Sequence, residues 1–144
     1  MILDTSYFLP LARIEVSSDL LLAITEKKTR EDLSLEHIGL NSISIFELQA
    51  KAAKLGLKTE WILEAIDVIS QLFKIEAYDS PKIIEIASVL RQSLFTDYID
   101  CIIISTAVKM GEELVTQDSK ILRRRKELKE KYNLTVLTFR DLVG

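Results

Sequence analysis

The sequence predicts an α/β protein, a three-layer sandwich in which helices flank a central, mostly parallel β-sheet. Short apolar runs alternate with amphipathic helical stretches along the chain, and no hairpin dipeptide such as Asn-Gly joins two runs. Two of the apolar runs stop at an aspartate. With 144 residues, 48% of them hydrophobic, we expect one domain over residues 1–144.

The first third of the chain is predicted to hold two strands and one helix. Residues 1–4 form an apolar run that ends in a carboxylate followed by two hydroxyls, which is typical of a buried strand that stops at a turn. Apolar residues over 11–24 have helical spacing, which the polar residues 17–19 interrupt. The second strand is predicted at residues 38–43.

Two helices and a strand are predicted in the middle of the chain. Residues 44–47, Ser-Ile-Phe-Glu, match a capping box that opens a helix running to Lys54 and closed by Gly56. Residues 59–73 carry apolar side chains at three- and four-residue spacing, which predicts an amphipathic helix facing a core. A short strand follows at residues 74–78.

The last part of the chain has clear helix starts and stops. Ser80 and Pro81 begin a helix that ends near Phe95, because serine is a good N-cap and proline suits the first helical position. Asp97 then caps a helix that is apolar on nearly every face and ends at Gly111. The remaining predicted elements are a strand at 114–116, a charged helix at 120–131 and a strand at 134–137.

Composition limits the chemistry that the chain can perform. Cys101 is the only cysteine and His37 the only histidine, which excludes disulfide frameworks, Cys/His zinc sites and histidine-based triads. Any catalysis must therefore use carboxylates. The net charge of -3 gives no general footprint for nucleic acid, so a nucleic-acid partner would need a local reason.

We expect a cytoplasmic protein with no membrane partner. Apolar runs such as residues 102–104 are broken within a few positions and do not approach the roughly 20 residues of a membrane span. Residues 1–4 have no basic start, long apolar stretch or small-residue cleavage site of the kind found in signal peptides.

Four acids are predicted to meet at one edge of the sheet. Asp4 and Asp118 each close a strand, Glu47 lies at the start of a helix, and Asp100 lies in the first turn of the buried helix. Ligand sites of open parallel sheets lie outside the carboxyl ends of the strands, where these side chains can converge. Clustered carboxylates repel one another unless cations neutralise them, and oxygen ligands select Mg²⁺ or Mn²⁺. Such a site can hydrolyse phosphate esters without a histidine.

Each acid also has a structural alternative. Asp4 and Asp118 could be Asx-turn or N-cap residues, and Glu47 could do no more than complete its capping box. Asp97 is favoured as the N-cap of the buried helix, although it shares a helix face with Asp100. Asp100 is the hardest to explain structurally, because an unpaired acid on a helix buried all round needs a metal, a cation or a donor as its partner.

Four short motifs surround these acids in a fixed order along the chain. They are Ile-Leu-Asp-Thr-Ser around Asp4, Ser-Ile-Phe-Glu-Leu around Glu47, Asp-Cys-Ile-Ile-Ile-Ser-Thr-Ala from Asp100 and Leu-Val-Thr-Gln-Asp ending at Asp118. Together they resemble the PIN domain, and in length and acid order the chain is most similar to the VapC-type toxin ribonucleases of prokaryotic toxin-antitoxin pairs. The resemblance implies a PIN-like parallel sheet between helices, Mg²⁺ or Mn²⁺ at the four acids, and endonucleolytic cleavage of RNA by a homodimer that an antitoxin inhibits.

The same resemblance implies a role for each residue. Asp4, Asp100 and Asp118 would be metal ligands, directly or through water, while Glu47 would bind the metal or orient the attacking water. Asp97 could be an extra acid of the metal site. Supporting hydrogen bonds would come from Thr5, Ser6 and Thr116.

Cations follow the last acid closely. Lys120, Arg123 and Arg124 lie just after Asp118, and a helix N-terminus with cations on its exposed face could bind the RNA phosphates that flank a scissile bond. The alternative is an ordinary solvated helix. The same two interpretations apply to Lys51 and Lys54.

Other functions compete with the ribonuclease prediction. A PIN-like fold could serve as a non-catalytic RNA-binding or scaffolding module, which would predict an incomplete acid set, or as an RNA-processing nuclease that is not a toxin. An aspartate-nucleophile phosphatase would carry a second aspartate where Ser6 stands. A receiver domain would pair acids near the end of the first strand and place a lysine after the last. The complete acid set favours the metal-dependent endoribonuclease.

Overall fold

The central sheet has five strands, all parallel. The computed structural model describes residues 1–144. The strands are β1 (Ile2–Leu3), β2 (Gly39–Asn41), β3 (Lys74–Glu76), β4 (Leu114–Val115) and β5 (Val136–Leu137). They lie side by side in the order β3-β2-β1-β4-β5, and every neighbouring pair is parallel. The predicted α/β class and parallel sheet are confirmed.

Eight α-helices cover the sheet. They are α1 (Leu20–Thr25), α2 (Ser42–Lys54), α3 (Thr59–Leu72), α4 (Pro81–Ser93), α5 (Tyr98–Met110), α6 (Ser119–Leu122), α7 (Arg125–Tyr132) and α8 (Phe139–Leu142). Two 3-10 helices add Thr5–Ala12 and Leu35–His37. None of the helices combines the length and the apolar composition needed to cross a lipid bilayer.

The strands divide their side chains between two apolar cores. Ile2 contributes to a core with α4, α5, α6 and α7, whereas its neighbour Leu3 contributes to a core with α1, α2, α3 and α8. Leu114 and Val115 of β4 split in the same way. Because successive strand residues point to opposite faces, even two-residue strands fix both helical layers on the sheet. This arrangement is the three-layer sandwich that the alternation of elements predicts.

Helix α5 is the most buried helix of the protein, as its composition predicts. Every side chain from Cys101 to Ala107 is buried. Gly111 ends the helix in the left-handed region at φ +64, where glycine avoids the steric cost of a Cβ atom. The buried helix holds its first turn, which contains Asp100, against the carboxyl ends of the strands.

Helix α2 begins two residues before the predicted capping box. Asn41 at the end of β2 is fully buried, and its Oδ1 accepts a hydrogen bond from the Ile43 amide at 2.8 Å. Asparagine is among the best N-cap residues, so it starts the helix at Ser42. The predicted strand to residue 43 is therefore too long, and the capping-box assignment of Ser44 and Glu47 is wrong.

Two predicted helices are each broken in two. Within residues 11–24, one 3-10 helix ends at Ala12 and α1 begins only at Leu20. Helix α1 begins there because the Asp19 side chain accepts a hydrogen bond from the Leu22 amide at 3.0 Å. The charged stretch over 120–131 divides into α6 and α7. There the Arg125 guanidinium donates to the Val136 carbonyl at 2.7 Å, which fixes the start of α7 against β5.

Replacing Asn41 by alanine should lower the free energy of unfolding by about 2 to 3 kcal/mol. Besides capping α2, the Asn41 amide donates to Oγ1 of Thr106 on α5 at 2.9 Å, and both residues are fully buried. The substitution removes a cap and a buried bond that ties β2 to α5. Urea unfolding followed by circular dichroism measures the loss.

The matched control is Asp19→Ala, which removes the cap of α1 where solvent reaches the helix end. Water can replace that bond, so we expect a loss of only about 1 kcal/mol. Equal losses for the Asn41 and Asp19 variants would contradict a special role for the buried link between β2 and α5.

Candidate active site

The four predicted acids lie at the carboxyl ends of the strands. Asp4 directly follows β1, and Asp118 follows the neighbouring strand β4. Glu47 lies in the second turn of α2 and Asp100 in the first turn of α5. All four line one groove of about 550 Å³, together with Asp97. The topology thus brings acids from four separate parts of the chain to one groove.

Two hydrogen bonds fix Asp4 at the end of β1. Its Oδ1 accepts from the Thr5 amide at 2.7 Å, and its Oδ2 accepts from the Thr116 hydroxyl at 2.7 Å. Thr116 is fully buried, and its Oγ1 also accepts from the Asp118 amide at 3.0 Å. Thr116 therefore links the acids that follow two adjacent strands. Burial raises the pKa of Asp4, although its two hydrogen bonds oppose the shift.

Glu47 is held by the threonine that follows Asp4. The Thr5 hydroxyl donates to Oε1 of Glu47 and lies 2.9 Å from Oγ of Ser44. A hydroxyl has one proton and a carboxylate is the stronger acceptor, so Ser44 donates in turn to Thr5. Burial raises the pKa of Glu47, against the hydrogen bond from Thr5. Instead of capping its own helix, Glu47 faces the groove with its second oxygen unbonded.

Asp97 and Asp118 are helix N-caps as well as groove residues. Oδ1 of Asp97 accepts from the amides of Ile99 at 2.9 Å and Asp100 at 3.3 Å. Oδ1 of Asp118 accepts from the Lys120 amide at 2.8 Å. The second oxygen of each carboxylate makes no hydrogen bond within the protein. Capping therefore leaves both acids an oxygen for a ligand, so the two interpretations are compatible.

Asp100 is the acid without a partner. Its half-buried carboxylate makes no hydrogen bond and no ion pair within the protein. Burial is the main reason that its pKa is raised to about 7. Four neighbouring carboxylates add to the shift, those of Asp97, Asp118, Asp4 and Glu47. Near neutral pH this carboxyl therefore lies between its two protonation states, and a nearby cation would favour the charged form.

The donor chemistry of the groove fits a divalent cation. All of its candidate ligands are carboxylate or hydroxyl oxygens, which hard cations such as Mg²⁺ prefer. The acids raise one another's pKa values, so they repel each other, and a cation would relieve that repulsion. No three of the side chains converge closely enough in this structure to surround one ion. A cation here would have to draw the carboxylates closer or be held partly through water.

A second recess adjoins the groove. Asp97 and Asp100 line both cavities, and the recess encloses about 490 Å³. Its other charged residues are the three cations predicted to bind phosphate, Lys120, Arg123 and Arg124. Lys120 makes no ion pair, whereas Arg124 pairs with Glu127 at 2.7 Å. The structure thus brings these cations beside the acids at the start of α5.

The groove also contains residues that the sequence did not assign to it. Phe46 and Ala50 of α2 line it, and Phe46 was missed because an apolar helix residue usually belongs to a core. Four-residue spacing was the available signal, since it puts Phe46, Ala50 and Lys54 on one helix face. Ser6 lines the groove, but its hydroxyl makes none of the predicted supporting hydrogen bonds to an acid.

Solved structures with this fold come from several bacteria. VapBC2 from Rickettsia felis, bound to a DNA fragment from its promoter, is 22% identical with a TM-score of 0.62, over 95% of this chain and 96% of that chain. FitAcB from Neisseria gonorrhoeae is 21% identical with a TM-score of 0.64, over 96% of each chain. A toxin-antitoxin complex from Klebsiella pneumoniae is 22% identical with a TM-score of 0.60, over 83% of this chain and 87% of that chain. At such identities the likeness establishes a shared fold.

Sequence comparison identifies the family. A search of curated proteins returns no match. The family model described as PIN domain matches residues 1–128, which include the first four strands and every acid of the groove. The chain therefore belongs to the PIN domain family.

Proposed function

We propose that this protein is a metal-dependent endoribonuclease that hydrolyses RNA phosphodiester bonds at the acidic groove. The observation that carries the proposal is the unpartnered Asp100 carboxylate, which faces four other acids. Family membership supports a hydrolase, since PIN domains are generally nucleases that use divalent metals. The groove has every acid that the resemblance requires, which argues against a non-catalytic module.

Three aspartates are the proposed ligands of Mg²⁺ or Mn²⁺. A bound ion of this kind supplies Lewis-acid polarisation of a phosphate oxygen and makes nearby water more acidic. Asp4, Asp100 and Asp118 would hold it through carboxylate oxygens, with Asp97 as an additional acid. The buried Thr116 keeps Asp4 and Asp118 in a fixed relation, because it bonds to both residues.

Glu47 is the proposed acceptor of the proton from the attacking water. Thr5 occupies one of its oxygens, so the other can face the water in a fixed orientation. A raised pKa brings a carboxylate closer to the pH at which a general base works best. The water oxygen adds to phosphorus, its proton passes to Glu47, and one P–O bond of the diester breaks. The leaving oxygen takes a proton from solvent, and Glu47 releases its proton to solvent, so the products are a phosphomonoester and a hydroxyl.

The cations of the second recess are the proposed contacts to RNA phosphates. Lys120, Arg123 and Arg124 line a cavity that shares Asp97 and Asp100 with the groove. Cations beside the acids can bind the phosphates on either side of the reacting one and offset the repulsion between RNA and the acids. An overall negative chain can in this way bind a polyanion locally.

We further propose that the protein is the toxin of a toxin-antitoxin pair, acting in the cytoplasm as a homodimer inhibited by an antitoxin. The support is its fold, which it shares with the VapBC2, FitAcB and Klebsiella structures described above. Large apolar side chains exposed on α3 and α4 are candidates for the protein interfaces, among them Leu63, Leu72, Ile84 and Val89. An RNA-processing role without an antitoxin is the alternative.

Purified protein should cut single-stranded RNA at least about 100-fold faster in Mg²⁺ or Mn²⁺ than in EDTA. The physical reason is that the groove contains no histidine or cysteine nucleophile that could replace the ion. Cleavage of end-labelled oligoribonucleotides of varied sequence measures the rate, and excess Mg²⁺ added after EDTA should restore it. RNA binding without cleavage in either metal would count against hydrolysis and favour a binding or scaffolding module.

A further inference from the structure

One face of α2 joins an aromatic ring to two cations beside the acidic groove. Phe46, Ala50 and Lys54 follow one another at four-residue spacing, and Lys51 lies four residues after Glu47. All five residues line the same groove. Because the alanine between the ring and Lys54 is small, the helix surface there is open to a ligand.

Phe46 has no partner in the protein that accounts for its position. Its exposed fraction is 61%, whereas its neighbours Ile45 and Leu48 pack into the core of α1, α2, α3 and α8. An exposed phenylalanine alone is unremarkable, but this ring lies on the rim of the candidate active site. The ring is therefore available to a flat apolar group that enters the groove.

The two lysines beside the ring are also unpaired. Neither Lys51 nor Lys54 comes within ion-pairing distance of a carboxylate, although Glu47 is one helical turn from Lys51. A partner that offered only an apolar surface would bury these ammonium groups without compensation. A nucleotide has both an apolar ring face and a phosphate, so it satisfies the ring and the cations together.

We infer that Phe46 is a stacking platform for one RNA base next to the scissile bond, and that Lys51 and Lys54 bind the phosphates of that segment. Single-stranded nucleic acids are commonly bound in this way, with bases on aromatic side chains and the backbone along a cationic groove. The inference rests on the proposed ribonuclease function and adds a base contact to it.

The proposed base contact lies only on the α2 side of the acids. In the second recess Phe95 is the only aromatic residue, and its exposed fraction is 6%, so its ring cannot stack on a base. That side offers cations alone. RNA that crosses the acids is therefore bound by base and backbone on the α2 side, and by backbone only at Lys120, Arg123 and Arg124.

A cycle of two changes tests the inference under single-turnover conditions with Mg²⁺. The first change is Phe46→Ala, and the second is an abasic nucleotide moved one position at a time away from the cleaved bond. Phe46→Ala alone should lower the cleavage rate about 10-fold. An abasic nucleotide should do the same, but at one position only. Each change removes the same contact between the Phe46 ring and one RNA base. Combined at that position, they should cost no more than either alone.

Leu22→Ala is the matched control, because Leu22 on α1 is similarly exposed, at 51%, and lies outside the groove and the second recess. It should cleave like wild type and retain the full abasic effect. The inference would be overturned if the losses from Phe46→Ala and from the abasic nucleotide multiplied when combined. It would also be overturned if the Phe46→Ala variant cleaved RNA at the wild-type rate. Unchanged cleavage with an altered oligomeric state would instead assign Phe46 to a protein interface.

A protein that lacks ribonuclease activity can be distinguished from one that lacks the stacking platform. If wild-type protein does not cut RNA, the same cycle is measured as equilibrium binding of the oligonucleotides by fluorescence anisotropy. Coupled losses in affinity would then support the stacking platform without catalysis. Absent RNA binding, or independent losses, would overturn it.

Discussion

Asp100→Asn should lower metal-dependent RNA cleavage by at least about 100-fold and leave the fold intact. Asparagine has nearly the same shape as aspartate, so α5 keeps its packing. It lacks the charge that a cation needs, and the Asp100 carboxylate has no structural partner whose loss would disturb the protein. Single-turnover cleavage with saturating Mn²⁺ measures the effect, and circular dichroism confirms folding.

Asp67→Asn is the matched control for that experiment. Asp67 is an exposed acid on α3, bonded only to Gln71 at 3.0 Å, and lies outside the groove. Its substitution removes the same charge from the chain and should leave cleavage within about twofold of wild type. More than a tenth of wild-type activity in the Asp100 variant would show that Asp100 is not a required ligand.

The same substitution should change how the stability of the protein depends on pH. The folded state holds the pKa of Asp100 near 7, above the ordinary value of 3.8. At pH values between these two pKa values, the folded state binds more protons than the unfolded state. The free energy of unfolding therefore falls as pH rises toward 7. Burial shifts Asp4 and Glu47 in the same direction. In EDTA, wild type should therefore lose stability relative to Asp100→Asn between pH 5 and 8.

We expect that relative loss to be about 1 kcal/mol, after allowance for the screening of a half-exposed carboxylate by solvent. Comparing the two proteins in urea at each pH removes the contribution of the other titrating groups. Mg²⁺ at about 100 times its dissociation constant should stabilise wild type by about 2.7 kcal/mol and the variant by much less. A pH-independent difference between the two proteins would contradict the raised pKa of Asp100 in the folded protein.

The parallel sheet and the acid set could be predicted because their signals are local. Apolar runs that stop at Asp4 and Asp118 mark strand ends, and Ser80 and Gly111 mark a helix start and stop without reference to distant residues. The order of elements then places every strand end on one edge. The convergence of the acids follows from topology alone.

The errors have a tertiary cause. Ser44 and Glu47 match a capping box, yet Asn41 starts α2 earlier because Thr106 on a distant helix completes its hydrogen bonds. The charged stretch after Asp118 breaks because Arg125 bonds to β5. Such competition between two plausible local structures is decided by contacts that no sequence window contains.

The supporting contacts of the site could not be predicted from the sequence for the same reason. The proton that Thr5 gives to Glu47 joins residues 42 positions apart, and the exposure of Phe46 depends on what packs around α2. Residue type alone points a phenylalanine toward a core. The acids were therefore predictable as a set, whereas their supports and the aromatic rim needed coordinates.

The bond from Thr116 to Asp4 spans 112 residues, and it has a consequence for biosynthesis. Strand β4 must leave the ribosome and pair with β1 before the acids that follow the two strands can be aligned. Domains fold as units during synthesis, and contacts between distant parts of a chain form late. A nascent chain that has not yet exposed β4 therefore lacks the hydrogen bond that aligns Asp4 with Asp118, and its acidic groove is incomplete.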